Sequence, residues 1–330
     1  MADGRCKMRV LITGGGGFIG QKLAKRLAEV GSIKGQEIVE LTLADIQLPA
    51  KFSAPMPLAR VVADISKPGD VDKLFASKPD IIYHLAAVVS GAAEADFDLG
   101  MRVNLGGTMN ILDAARRFGE TSGYPPMVIY ASSVAVHGGE APDMVADGVE
   151  LNPQTSYGTQ KAMGELLLQD YSRKGLIDGR GLRLPTVTIR PGRPNAAASS
   201  FMSSIFRDTL QGNTSNCPVS RDYPVWHSAP KTVVENLILA ADIPASTFGY
   251  NRNLNLPGRT DTIGDMIDAM TKVAGPAAEN LITWEPDPVV EKIVTGWRSY
   301  FAPEKGLALG FKTDASFADN VRYFLEDDIA

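Results

Sequence analysis

The chain begins with an alternation of continuous apolar runs and helix-spaced apolar positions. Arg9 to Thr13 (RVLIT) reads as a buried strand, and Leu23, Leu27 and Val30 recur at helical spacing across Gly20 to Val30. Further strands are predicted at Glu37 to Ala44, Arg60 to Asp64, Asp80 to Leu85, Met127 to Ser132 and Thr186 to Arg190. Helices are predicted between them, over Asp70 to Ala76, Phe97 to Phe118 and Tyr157 to Tyr171. Strands apolar along their whole length, alternating with helices, imply a parallel sheet covered on both faces. Right-handed crossovers then bring the strand carboxyl ends to one edge, where such sheets bind ligands.

The pattern changes after Arg190. Pro191 to Ser204 is rich in Pro, Gly, Ala and Ser and reads as a loop leaving the sheet. Beyond it, Thr232 to Ala241 and Thr262 to Val273 look helical, and Asn253 to Leu256 looks like a strand. The expected fold is α/β, a doubly wound parallel sheet with a smaller mixed α/β C-terminal lobe. The first domain is expected over 1–191 with a returning segment at about 228–257. Residues 192–227 and 258–330 then form the lobe, and the cleft between the two is the natural pocket.

Composition narrows the classes. The chain has 330 residues and a net charge of −5. At about 150 residues per domain, that length fits two domains or one domain with a lobe. No apolar run approaches the roughly 18 residues of a membrane span, and the start lacks a secretory apolar region. A cytoplasmic protein is expected. The two cysteines, Cys6 and Cys217, make no disulfide framework, and His84, His137 and His227 lack metal-ligand spacing, so no metal is expected. A mildly acidic chain without basic clusters is a poor nucleic-acid binder.

Thr13-Gly14-Gly-Gly-Gly17-Phe18-Ile19-Gly20 joins the first strand to the first helix. Glycines there allow a tight turn and a close phosphate, and the helix start offers free N–H groups and a positive dipole end. The strand–turn–helix context makes this a dinucleotide fingerprint on a Rossmann-like domain. It is no Walker loop, since no Gly-Lys-Ser/Thr follows. Asp45, at the end of the second strand, can accept the adenosine ribose hydroxyls and would repel a 2′-phosphate, which favours NAD over NADP. Asp64 and Ile65 either contact adenine or, for Asp64, cap the Ser66–Asp70 turn. The small residues of Leu85-Ala86-Ala87 let the backbone lie along the cofactor.

Tyr157 and Lys161 are one helical turn apart, on one face. An ammonium beside a phenol favours the phenolate, so the tyrosine can exchange a proton with an alcohol near neutral pH. Ser133, just past the fifth strand, can hydrogen-bond the same substrate oxygen; Ser132 is its neighbour. A hydrolase is disfavoured, because Ser133 lies in Ala-Ser-Ser-Val-Ala and His137 has no evident acidic orienter. His84, on a buried strand, reads as a core histidine.

These motifs together resemble the extended short-chain dehydrogenase/reductase family. They are Thr13-Gly14-x-x-Gly17-x-x-Gly20, Asp64, Ala131-Ser-Ser133-x-x-x-His137-Gly138, Tyr157-x-x-x-Lys161, Arg190-Pro191-Gly192 and the closing Ala308-Leu309-Gly310-Phe311. That family includes the nucleotide-sugar epimerases and dehydratases. The resemblance implies Ser133, Tyr157 and Lys161 as the catalytic trio, Lys161 on the nicotinamide ribose, Asn104 beside a proton-relay water, and Pro191 near the cofactor. Homodimers through the two long helices are common in the family. The chain departs from the sugar-nucleotide epimerases after Arg221-Asp222-Tyr223, where Pro224-Val-Trp-His-Ser-Ala-Pro230 follows, and His137 replaces their usual tyrosine.

Arg190-Pro-Gly-Arg193-Pro-Asn195-Ala-Ala-Ala-Ser199 and Trp226-His227-Ser228-Ala-Pro230 resemble a narrower group, the D-erythronate dehydrogenases, which implies oxidation of a small sugar acid. Arg193 could grip its carboxylate with two hydrogen bonds. Asn195, Ser199, His227, Ser228 and Ser90 complete the expected substrate set. A 4-epimerase or dehydratase that keeps its NAD is the alternative. A protein that only senses NAD is disfavoured by the presence of Tyr157 and Lys161.

Overall fold

The computed structural model describes residues 7–192, 198–294 and 296–329. In chain order the first part contains β1 (Lys7–Thr13), α1 (Phe18–Val30), β2 (Ser32–Ile33), β3 (Gln36–Asp45), β4 (Leu58–Val62), α2 (Pro68–Phe75) and β5 (Ile81–His84). It continues with α3 (Ser90–Ala95), α4 (Phe97–Gly100), α5 (Gly107–Ser122), β6 (Met127–Ser133), β7 (Met144–Ala146), α6 (Ser156–Arg173) and β8 (Asp178–Leu184). The remainder holds β9 (Thr186–Val187), α7 (Phe201–Leu210), β10 (Ser215–Asn216), β11 (Pro224–Ser228), α8 (Pro230–Asp242), β12 (Asn253–Asn255) and β13 (Arg259–Thr262). It ends with α9 (Ile263–Ala274), β14 (Ile282–Thr283), α10 (Pro288–Val294), β15 (Tyr300–Ala302), α11 (Glu304–Ala308) and α12 (Phe317–Phe324).

Eight strands form the main sheet, in the order β12-β8-β6-β5-β1-β3, with β2 and β4 both paired to β3. Every pairing is parallel except β2 with β3. The chain therefore runs outward from β1 to β4, then returns to the other side of β1 at β5. That reversal opens a crevice over the carboxyl ends of β1 and β5, the usual ligand site of a doubly wound sheet. One face of the sheet packs α1 and α8 through Leu23, Leu27, Val233 and Leu237. The other packs α2, α5 and α6 through Leu74, Ile111, Leu112 and Leu168. A third core, with Ile205, Phe206, Met266, Ile267 and Phe317, belongs to the C-terminal elements. Burying each such side chain is worth about 1.5–3 kcal/mol.

Three expectations are corrected. The sixth long strand is Asp178–Leu184, not Thr186–Arg190; Thr186–Val187 instead joins a second sheet with β11 and β13. Periodicity missed β8 because glycines and arginines fill it. A Cβ at Gly179 would strike Ser172, and one at Gly181 would strike Asn253, so helix and neighbouring strand occupy the missing side chains' space. Arg180 and Arg183 are buried but paired, with Asp178 and Glu165 respectively. The helix expected over Phe97 to Phe118 is instead α4, a π-helical turn over Met101–Gly106, and α5. Glycines sit at its junctions because neighbours come close. A Cβ on Gly107 would lie 2.6 Å from Ile65 Cδ1. Finally, the stretch read as a loop up to Ser204 already contains the start of α7 at Phe201, whose Phe201, Met202 and Ile205 anchor the third core.

Candidate active site

β1 stops at Thr13, and Gly14 turns the chain with φ of 74°. A Cβ on Gly14 would lie 2.7 Å from the Ala86 nitrogen, so only glycine lets this turn rest on the β5 end. Gly20 abuts the Gly14 carbonyl in the same way, which brings α1 close to the sheet. The Gly17 N–H donates to the Gly14 carbonyl at 3.1 Å. Gly17 is also the N-cap of α1 and has no side chain to cap it. First-turn N–H groups, those of Phe18 and Ile19 among them, are thus outside the helical ladder and can meet an anion.

Asp45 completes this end. Its Oδ2 accepts the Gly16 N–H at 2.9 Å and its Oδ1 the Ile46 N–H at 2.7 Å. Each oxygen keeps a lone pair for a ribose hydroxyl. Asp64 caps its turn and also lines the cavity with Ile65. Its Oδ1 accepts the Ser66 N–H at 3.0 Å and hydroxyl at 2.7 Å, and the hydroxyl bond holds the carboxyl below its usual range. Leu85, Ala86 and Ala87 form the floor beside the glycine turn. A cavity of 690 Å³ runs from this turn to the end of β6. The glycine cradle, the uncapped helix start and the strand-end carboxylate fit a dinucleotide.

Ser133, Tyr157 and Lys161 meet at the other end of the cavity. Thr155 caps α6 through its hydroxyl, which accepts the Gly158 N–H at 3.1 Å, and this sets the first turn carrying Tyr157. The Ser133 hydroxyl accepts the Ala135 N–H at 3.1 Å and lines the cavity with Tyr157. Lys161 is buried, donates to the Ala131 carbonyl at 2.8 Å, and lies 5.7 Å from the Tyr157 ring centroid. Burial sets both acidities. It pushes the Tyr157 phenol up to about 12, against the Ser133 hydrogen bond, and brings the Lys161 ammonium down to about 7. The sequence expectation that the ammonium lowers the phenol is not met: burial raises the phenol, and Ser133 rather than Lys161 is the group that opposes the rise.

Other expected residues are placed differently. Ser90, the first residue of α3, and Ser199 both line the cavity. Asn104 lies in the π-helical turn and is 2% exposed; its amide bonds the Val88 N–H, the Val88 carbonyl and Gln160, away from the cavity wall. Pro191 follows the wall residue Arg190 but does not itself line the cavity. His227 and Ser228 do not reach it either, and both are 0% exposed. His227 Nε2 bonds Asp261 at 2.8 Å, and the Ser228 hydroxyl donates to Asp314 at 2.9 Å. On β11 it is the preceding Trp226 that faces the cavity, while His227 packs on Phe317 of α12. Arg193 and Asn195 lie outside the described residues.

Several wall residues escaped the sequence reading. Arg190 was part of a motif but was assigned no role. Arg298, Trp297 and Ser299 come from the far C-terminal part, carried to the cavity where β15 pairs with β7. Arg298 is anchored by a bond to the Gly139 carbonyl at 2.7 Å. Nothing local in Gly296-Trp-Arg-Ser-Tyr300 announces this, because the pairing partner is remote. Arg221, in the Arg-Asp-Tyr stretch shared with the epimerases, is tied to Asp268 and Glu279 and is not part of the wall. Among the described residues no cluster of His, Cys, Asp and Glu is built to hold a metal, and no helix is long and apolar enough to cross a membrane.

Known proteins are similar to this chain. The chain is 46% identical to the D-erythronate dehydrogenase of Cupriavidus necator, over 97% of this chain and 98% of that one. It is 42% identical to the D-erythronate dehydrogenase of Haemophilus influenzae, over 98% of this chain and 100% of that one. Among solved structures it is similar to one described as the nucleoside-diphosphate-sugar epimerase from Agrobacterium tumefaciens. There the TM-score is 0.93 and the identity 42%, over 100% of this chain and 97% of that one. A family model for NAD dependent epimerases and dehydratases matches residues 10–229, which include the glycine turn and the Ser133, Tyr157 and Lys161 cluster. The chain belongs to the NAD dependent epimerase/dehydratase family.

Proposed function

We propose that this chain oxidises the C2 hydroxyl of D-erythronate to a 2-oxo acid with NAD. The observation that carries the reading is the single cavity that joins the glycine turn to Ser133, Tyr157 and Lys161. The two D-erythronate dehydrogenases aligned over nearly their whole length support the choice of substrate. When bound, NAD supplies the hydride acceptor, and the protein supplies position and electrostatics. Gly14, Gly17, Phe18 and Ile19 would hold the pyrophosphate, Asp45 the adenosine ribose, Asp64 and Ile65 the adenine, and Lys161 the second ribose.

In this mechanism Tyr157, as phenolate, takes the hydroxyl proton while the C2 hydrogen leaves as hydride. Ser133 donates to the developing carbonyl oxygen. Lys161 favours the phenolate against the burial that raises it. Arg190 and Arg298 are the wall cations that suit a carboxylate, with Ser90 and Ser199 as hydroxyl partners. Asn104 serves by position, tying the Val88 backbone to α6 through Gln160. The cofactor domain spans 1–191 with 228–257, and the remaining residues form the substrate lobe. A cytoplasmic homodimer fits this reading, with the exposed apolar Phe97, Met109 and Leu166 on the helices it would join.

The Agrobacterium relative, described as an epimerase, favours a second reading. A nucleotide-sugar 4-epimerase or dehydratase retains its hydride and releases no net NADH. One assay separates the two. NADH absorbance accumulates with D-erythronate and stays flat with UDP-sugars if the first reading holds; the reverse substrate preference without NADH release overturns it.

A further inference from the structure

Behind the catalytic cluster lies a buried ionic network that the mechanism above does not use. Glu165 follows Lys161 by one turn of α6 and is 1% exposed. Its Oε1 accepts the Ser132 hydroxyl at 2.5 Å and the Arg183 Nε at 2.9 Å. Its Oε2 accepts Arg183 Nη2 at 2.7 Å and Nε at 3.1 Å. Arg183 Nη1 lies 3.5 Å from both His137 Nε2 and Asn255 Oδ1, which bond each other at 3.0 Å. Four elements, β6, α6, β8 and β12, are thus tied together immediately beneath Ser133 and Lys161.

A buried ion pair is a poor way to gain stability, because two desolvated charges roughly offset their attraction. An apolar pair would pack as well, so the charges here call for another role. Lys161 supplies one. Its ammonium is buried, and the groups facing it are Tyr157 and Glu165 on its own helix, Tyr130 on β6 with its ring 4.8 Å away, and His84 on β5. Burial keeps His84 neutral, so it adds no repelling charge beside the ammonium. Glu165 is the carboxylate on the same helix face, one turn away.

We propose that Glu165, clamped by Arg183 and Ser132, is a positioning residue that keeps Lys161 protonated and presses the end of β6 against α6. The proposal rests on the Ser133, Tyr157 and Lys161 reading above. Desolvation draws the Lys161 ammonium down to about 7, and Glu165 is the charge that opposes the fall. Removing the carboxylate lowers the proton affinity of Lys161 further. Removing Arg183 leaves the carboxylate without its partner and raises that affinity. A purely structural tie gives no such opposite signs.

The test follows the 13Cε shift of Lys161 against pH in 13C-lysine protein, with the signal assigned by Lys161→Arg. This readout needs neither cofactor nor substrate. Glu165→Gln is expected to move the titration down by about one pH unit, and Arg183→Met to move it up by a similar amount. The alkaline limb of D-erythronate oxidation moves in the same directions. Glu165→Asp keeps the charge; its titration stays near the wild type while kcat falls. If Glu165→Gln does not fold, the upward shift of Arg183→Met, set against the unshifted Glu165→Asp, still decides the sign. Titrations that coincide in all folded variants overturn the proposal. A wild-type protein inert towards D-erythronate overturns only the substrate reading, since the lysine titration is measured without it.

Discussion

On the cofactor side, Gly14, Gly17 and Gly20 act within one turn, and much of what faces the ligand is backbone. At the far end of the cavity, Ser199, Tyr223, Trp226 and Arg298 come together from three distant stretches of chain. The difference is physical. A phosphate is held by N–H groups and a helix end, and these need only a local turn and the absence of Cβ atoms. A small polar substrate is held by side chains, which need only point to one place, so their spacing in the chain is unconstrained. Motifs are therefore dense on one side and sparse on the other.

The strongest way to break this contrast is at the junction of the two sides. Tyr157→Phe is expected to lower NADH formation roughly 10²–10⁴-fold. Calorimetry should find NAD affinity nearly intact; an equal loss of NAD binding would make Tyr157 a cofactor residue instead.

Next in size is Gly14→Ala, which places a Cβ 2.7 Å from the Ala86 nitrogen at a φ of 74°. The strain should cost about 1–3 kcal/mol, read as a fall in Tm, with NAD affinity reduced alongside. A normal Tm and Kd would show that the turn is not rigid enough to matter.

On the lobe side, Arg298→Ala is expected to raise KM for D-erythronate about tenfold, or about 1.4 kcal/mol, with a smaller change in kcat. His227→Ala should lower stability through loss of the Asp261 bond and leave KM alone. Matching KM effects from both would return His227 to the site.

The smallest effect is a pH dependence centred on His84, held between the Thr13 and Thr108 hydroxyls at 2.7 and 3.0 Å. Burial first, and Lys161 second, lower its pKa from 6.5 to about 3. As the pH falls below 6.5 the unfolded chain takes up this proton and the native protein does not. Stability present above 6.5 is thus lost towards pH 3, with a limiting slope of about 1.4 kcal/mol per pH unit from this group. Urea titrations at several pH values should show the slope become shallower in His84→Asn.

The sheet strands other than β2 and β8, α1, the glycine turn, Asp45 and the Ser133, Tyr157 and Lys161 cluster were legible in the sequence. Each is announced by neighbours within a turn or a strand length, through apolar periodicity, a Cβ-free bend or two residues on one helix face. β8 was not legible, because its glycines make room for Ser172 and Asn253 and its arginines are neutralised by partners elsewhere in the chain. Nor was the inward burial of His227 and Ser228, which depends on Asp261 and Asp314. Local sequence alone determined where a dinucleotide and a proton-transfer pair could sit, since short-range backbone geometry governs both. Tertiary structure decided which cations face the cavity, because β15 must find β7 before Arg298 has a cavity to line.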